Sequence, residues 1–293
     1  MTDLTLEPPH RQGGIRPSTT LAGLRASRII GYTLAKLVSR LPEVVTRRPM
    51  PRRVTREWHA RVCRLAGVDV QVHGAEPAKG PTIFVANHVS YIDIIALGGL
   101  IDCSFVAKAE VAGWPIFGYL SKLQRTVFVE RRARRAAGQR DELRSHLEKG
   151  ESLILFPEGT SSDGSRVLPF KSSLFEAANA ECDGEQVWVQ PVSIAYSRFD
   201  NIPMERWIRP YYAWYGDMEM GGHLWHWLGL GKLGVDVILH EPVRLGDFKG
   251  RKELARHCEM AVDHGVTQVL NNGLADVGPV AALPSASLSE NAK

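Results

Sequence analysis

His88 and Asp93, five residues apart in Asn87-His88-Val89-Ser90-Tyr91-Ile92-Asp93, form the first group in this chain that could do acid–base chemistry. A carboxylate held against Nδ1 of an imidazole fixes the tautomer and leaves Nε2 free to take a proton. The same residues also suit a polar loop in which Asn87 or Ser90 caps a helix. A second group is Phe156-Pro157-Glu158-Gly159-Thr160-Ser161-Ser162. Its acid and hydroxyls could hydrogen-bond a polyol or amine, and Gly159 suits a tight turn. In Thr126-Val127-Phe128-Val129-Glu130-Arg131, the Arg131 fork could pair with an anionic group or simply open a charged helix. Val189-Gln190-Pro191-Val192-Ser193-Ile194 is strand-like but carries Pro191, which by itself predicts an edge strand or a bulge.

The elements that must position these residues can be read from periodicity. Strands are expected over Val68–His73, Thr82–Ala86, Ser104–Ala107, Thr126–Val129, Ser152–Phe156, Val187–Ala195 and Val235–His240. Several are short apolar runs, as in strands buried on both faces. Helices are expected over Ile92–Leu100, Arg132–Lys149 and Lys252–Leu270. This alternation predicts an α/β fold with a mixed, mostly parallel sheet covered by helices. His88, Arg131 and Glu158 then all follow strands, at the end where sites of such folds gather.

The 293 residues, with 44% hydrophobic and 23% charged, exclude a disordered, collagen-like or coiled-coil chain. Residues 1–19 read as a flexible arm, 20–53 as an amphipathic membrane-associating helix with a basic linker, 54–274 as one large α/β domain and 275–293 as a disordered tail. Residues 1–66 carry 13 basic and 4 acidic residues, hence +9, against a total of +4. Such a basic arm suits an anionic partner, either membrane or nucleic acid. On a helical wheel of residues 20–41, Arg25, Arg28, Lys36 and Arg40 cluster opposite Ile30, Leu34, Leu37, Val38 and Leu41, and Pro42 is expected to stop the helix. This is the pattern of a helix lying in a bilayer interface, or of one packed on the protein's own core. A spanning helix is not expected, because the charges interrupt the apolar run. The aromatic region Trp207, Tyr211, Tyr212, Trp214, Tyr215, Trp225 and Trp227 suits either a second lipid contact or the core.

Other motifs exclude rival chemistries. Gly229-Leu230-Gly231-Lys232-Leu233-Gly234 precedes a strand rather than following one, so it reads as a loop and not a dinucleotide fingerprint. There is no phosphate-loop motif, no G-x-S-x-G nucleophile elbow for a hydrolase and no H-E-x-x-H; His223-x-x-His226 lacks the glutamate. Four scattered cysteines without C-x-x-C suit a reducing compartment.

In order, N-H-x4-D, F-V-E-R, F-P-E-G-T and V-x-P-V-S resemble the four sequence blocks of the glycerolipid acyltransferase family, the lysophosphatidic acid acyltransferases and their relatives, over roughly residues 65–245. The resemblance implies a membrane-associated enzyme that moves a fatty acyl group from a thioester, carried by acyl-carrier protein or coenzyme A, to a lysolipid hydroxyl without an acyl-enzyme. It implies no metal or other cofactor and no nucleic-acid partner. It makes His88 the general base and Asp93 its orienting partner, and gives Arg131, Glu158, Gly159 and Thr160 to the acceptor headgroup and Pro191 to the donor. The pattern departs at Ser161, where the family usually has arginine, and at Arg125, where glycine is frequent. Lys108, Arg125, Arg131 or Lys171 could supply the missing cation. Phe156–Phe175 with Val106-Ala107-Lys108-Ala109-Glu110 looks most like the bacterial lyso-ornithine lipid O-acyltransferase branch. That likeness implies a lyso-ornithine lipid acceptor, with Ser161 among the residues lining its site, and a peripheral place on the cytoplasmic face of the inner membrane. The alternatives are acylation of 1-acyl-glycerol-3-phosphate and a non-catalytic lipid-binding protein.

Overall fold

The structure is a computed structural model and describes residues 14–129 and 136–272. The strands are β1 (Val68–Gly74), β2 (Thr82–Ala86), β3 (Ser104–Lys108), β4 (Val127–Val129), β5 (Leu153–Leu155), β6 (Glu181–Cys182), β7 (Glu185–Gln186), β8 (Trp188–Phe199), β9 (Ile202–Pro203) and β10 (Leu233–Leu239). The helices are α1 (Thr19–Ser39), α2 (Leu41–Thr46), α3 (Arg52–Ala66), α4 (Ile92–Leu100), α5 (Phe117–Leu123), α6 (Ala136–Glu148), α7 (Met220–Leu228) and α8 (Arg251–Asn272). Among the described residues one sheet has the order β1-β10-β8-β2-β5-β3-β4, with β9 paired to β8. The pairings of β1 with β10, β8 with β2, β2 with β5, β5 with β3 and β3 with β4 are parallel, and β10 with β8 is antiparallel. This is the mixed, mostly parallel α/β sheet that the alternation predicts.

Why the central strands read as continuous apolar runs is clear in β2. Phe84 and Ala86 enter the core layer under α3, α4 and α7, whereas Ile83 and Val85 enter the layer under α6 and α8. Both faces are covered, so the alternate positions are apolar apart from Thr82 at the strand's start, whose buried hydroxyl donates to the Gly80 carbonyl (3.0 Å). The strand expected at Ser152–Phe156 is shorter, Leu153–Leu155, and the one expected at Val187–Ala195 runs on to Phe199. Of the helix expected over Arg132–Lys149, Ala136–Glu148 is observed and residues 132–135 lie outside the described residues.

Pro191 does not mark an edge. It lies in β8, between β10 and β2, opposite Val85. The sheet tolerates it because β10 ends at Leu239, just where the missing N–H would be needed. The Pro191 carbonyl still accepts from the His240 N–H (3.0 Å). The His240 carbonyl takes its hydrogen bond from the Gln190 side-chain amide instead (2.9 Å). Pairing resumes at Val189 with Val243, one residue out of frame, so a bulge is present on an interior strand.

The N-terminal helix forms as expected, with the Ser18 hydroxyl accepting from the Leu21 N–H (3.2 Å) at its start. It ends at Ser39, and Pro42 opens α2 instead, in the first turn where no N–H is required. Ile30, Leu34, Val38 and Leu41 are solvent-exposed, and Leu24 and Val45 extend the stripe. Arg25 departs from the wheel. Its guanidinium is buried and donates to the Leu228 (3.1 Å) and Leu230 (2.7 Å) carbonyls at the end of α7. A helix C-terminus offers unpaired carbonyls and a negative dipole end, which suits a buried cation. The boundary expected near residue 53 falls inside α3, which also ties α1 to the body: Trp58 Nε1–H donates to Thr33 Oγ1 (3.0 Å), and Lys36 pairs with Glu57 (3.4 Å). Among the described residues no helix is long and apolar enough to cross a membrane.

Candidate active site

Strand β2 ends at Ala86, and the next two residues carry the first polar side chains of the site. Asn87 clamps the loop to β8: its Nδ2 donates to the Ile194 carbonyl (2.9 Å) and its Oδ1 accepts from the Ile194 N–H (2.8 Å). His88 Nδ1 lies 2.8 Å from Asp93 Oδ2, and donates to it because a carboxylate only accepts. Asp93 is fully buried in the first turn of α4. The same Oδ2 accepts the Val89 (2.7 Å) and Ser90 (3.0 Å) N–H groups, and Oδ1 accepts from the Tyr196 hydroxyl (2.7 Å). A buried carboxylate needs such donors to stay ionised. The imidazole also stacks on Phe156, with ring centroids 4.1 Å apart and planes 19° from parallel. Its side chain keeps 19% exposure, so the ring is partly open to solvent.

Strand β5 brings the second group. Glu158 is buried, and its Oε1 accepts the His88 backbone N–H (3.2 Å). The Ser162 N–H donates to the His88 carbonyl (2.9 Å), so the two segments are laced together on both sides of the histidine. Burial pushes the Glu158 carboxyl up to about 8; the N–H groups of His88 and Leu168 oppose this, and the Asp93 charge adds to it. A carboxyl whose folded value lies above its unfolded one keeps its proton in the folded chain while the unfolded chain loses it. Stability from Glu158 is therefore full below about pH 4.5 and falls as pH rises toward 8. The expected slope is at most about 1.4 kcal/mol per pH unit. Glu158→Gln removes that slope, so its melting temperature should gain on the wild type between pH 5 and 8 and hold the gain above. Paired melts giving parallel curves across that range would refute the assignment.

Gly159 has φ of +76°, and a Cβ there would come within 2.5 Å of Lys171 Nζ. The lysine thus folds across the glycine turn. Thr160 is exposed on the same turn. The Ser161 hydroxyl donates to the Trp214 carbonyl, and the Trp214 N–H donates to the Val89 carbonyl (3.0 Å). Trp214 is therefore fastened to both segments, and its ring lies beside Tyr91 (5.9 Å) and Trp114 (6.3 Å).

The remaining expected residues are scattered. Lys108 is exposed at the end of β3, paired in register with Val129. Pro191 is buried in the sheet. Arg131 lies outside the described residues. The aromatic region divides: Tyr211, Tyr212 and Trp227 are core, while Trp207 and Trp225 are exposed. Gly229 and Gly231 lie in the connection from α7 to β10, as a loop reading requires, whereas Gly234 already belongs to β10, which starts two residues earlier than expected. Among the described residues no group of three or more His, Cys, Asp or Glu is arranged to hold a metal ion.

The family model described as Acyltransferase matches residues 69–195, which span both laced segments. A lyso-ornithine lipid O-acyltransferase of Rhizobium meliloti is 44% identical over 211 residues, covering 70% of this chain and 72% of the relative. The chain belongs to the acyltransferase family. A further lyso-ornithine lipid O-acyltransferase, from Pseudomonas aeruginosa, is 36% identical over 82% of this chain and 91% of its own length. The crystal structure of the 1-acyl-sn-glycerophosphate acyltransferase PlsC from Thermotoga maritima superposes with a TM-score of 0.58 at 27% identity, over 85% of this chain and 95% of that one. This acyltransferase thus shares fold and reaction class with those enzymes: it transfers acyl groups. Three features of its site escape a reading of sequence: the Phe156 stack, the Tyr196 bond to Asp93 and the Trp214 fastening. The block Phe156-Pro157-Glu158 contains the first of these, and only the three-dimensional packing reveals the other two.

Proposed function

We propose that this acyltransferase esterifies the hydroxyl of lyso-ornithine lipid with a fatty acyl group from an acyl-carrier-protein or coenzyme A thioester. The observation that carries the chemistry is the buried Asp93 holding His88 by Nδ1, with the rest of the ring partly open. His88 Nε2 takes the proton of the acceptor hydroxyl as its oxygen attacks the thioester carbonyl carbon. The tetrahedral adduct collapses by breaking the C–S bond, and the imidazolium returns the proton to the departing thiolate. Asp93 keeps the tautomer and stabilises the transient cation.

The acceptor assignment is supported by the lyso-ornithine relatives and by the fate of residue 161. The Ser161 hydroxyl is spent on Trp214, so this turn offers no cation from that position. Lys171, lying over Gly159, supplies a single ammonium, enough for the one carboxylate of an ornithine headgroup. The exposed stripe of Ile30, Leu34, Val38, Leu41 and Val45, with exposed Arg47 and Arg48 after it, supports docking on an anionic leaflet at the cytoplasmic face.

The test is a paired acceptor assay in nanodiscs with labelled acyl donor and either lyso-ornithine lipid or lysophosphatidic acid. Product with lyso-ornithine lipid, and a KM for it about tenfold higher in Lys171→Met, is the expected result. Product from lysophosphatidic acid alone would transfer the assignment to lysophosphatidic acid acylation, the activity named for the Thermotoga maritima neighbour.

A further inference from the structure

The hydrogen bonds around Asp93 divide unevenly between its two oxygens. Oδ2 serves the catalytic loop, taking His88 Nδ1–H and the Val89 and Ser90 N–H groups. Oδ1 faces the sheet and takes the Tyr196 hydroxyl at 2.7 Å. Tyr196 is fully buried on β8, among the core residues beneath α4. Burial pushes its phenol well above the ordinary range, so it remains a donor at every pH at which the enzyme works. Two residues earlier on the same strand, Ile194 is held by both ends of the Asn87 side chain. Strand β8 therefore grips the catalytic loop twice, once before His88 and once through Asp93.

We propose that Tyr196 is a positioning residue for the reaction, orienting Asp93 and moderating how strongly it holds the His88 proton. The inference rests on His88 acting as the base. A carboxylate rotates about its Cβ–Cγ bond, and a donor on one oxygen fixes where the other points. Oδ1 held by Tyr196 keeps Oδ2 in line with Nδ1. The same hydrogen bond draws charge from the carboxylate, so it limits stabilisation of the imidazolium and keeps Nε2 able to accept a proton. The other ionisable groups near the His88–Asp93 pair are Glu158, whose Oε1 accepts the His88 N–H (3.2 Å), and Tyr91, before α4, whose charge adds to the upward push on the Tyr196 phenol.

The experiment measures pH–rate profiles for wild type, Tyr196→Phe, Asp93→Asn and the double variant, with His88→Ala as the blank. In Tyr196→Phe, kcat should fall about tenfold or more, with the acceptor KM within twofold. The acid limb of kcat/KM should move to higher pH. In the Asp93→Asn background the same change should cost kcat little, because its effect is routed through the carboxylate. Additive losses, or an acid limb that stays in place, would overturn the proposal. Placing 3-fluorotyrosine at position 196 keeps shape and donor but makes the donor stronger, so the limb should move to lower pH. This arm decides the matter if Tyr196→Phe folds poorly, and a limb moved the same way by both changes would also refute it. Near-normal turnover in His88→Ala would instead refute the base assignment, whatever Tyr196 does.

Discussion

Replacing His88 with alanine is expected to reduce turnover by between about 100- and 10,000-fold, the range of a lost general base, while the melting temperature moves by no more than a few degrees. The structure explains why the fold should survive. Asp93 loses one donor of four and keeps Val89, Ser90 and Tyr196, so no buried carboxylate is left bare. Asp93→Ala is the poorer test, because it strips an acceptor from two backbone N–H groups and a buried phenol at once. The measurement is initial rate with saturating donor and acceptor, beside a thermal melt. Near-normal turnover in a well-folded His88→Ala protein would remove the acid–base mechanism.

The second large effect concerns the apolar stripe. Leu34→Glu with Val38→Glu should lower partitioning onto anionic vesicles by about 100-fold or more, since each buried aliphatic side chain is worth about 1.5–3 kcal/mol and each new carboxylate is repelled. Both side chains face solvent, at 55% and 70% exposure, so the change removes no core contact. Co-sedimentation with vesicles gives the affinity. Activity on a short-chain, water-soluble acceptor provides the control and should stay near the wild-type value. Unchanged sedimentation would show that α1 and α2 do not carry the interaction.

Much of the site could be read along the chain because the fold places it at strand ends. His88 and Glu158 each follow a short apolar run, and parallel pairing of β2 with β5 is enough to bring those ends together. Asp93 could be read as well, because the first turn of a helix carries a side chain back toward the preceding loop. What could not be read depends on distance along the chain. Tyr196 stands 103 residues from Asp93, and nothing in its local pattern distinguishes it from any other buried tyrosine. Arg25 shows a different limit. A helical wheel assigns a side chain to a face, but it does not say that the carbonyls of another helix wait there. At Pro191 the bulge is legible but the interior place is not: its missing donor is compensated by the side chain of the residue before it, Gln190, which no propensity records.

The Arg25 anchorage has a consequence for how an adsorbed molecule searches its substrate. A slack tether would let the catalytic body tumble above the bilayer, and each encounter would have to find the right tilt by chance. Here the helix bearing the stripe is bolted to the end of α7 through a buried guanidinium and to α3 through Trp58 and Lys36. A molecule settled on that stripe keeps only lateral diffusion and rotation about the membrane normal. On the proposed docking, the search for a lipid hydroxyl would become two-dimensional, and the depth of His88 would be a fixed length of the protein rather than a fluctuating one.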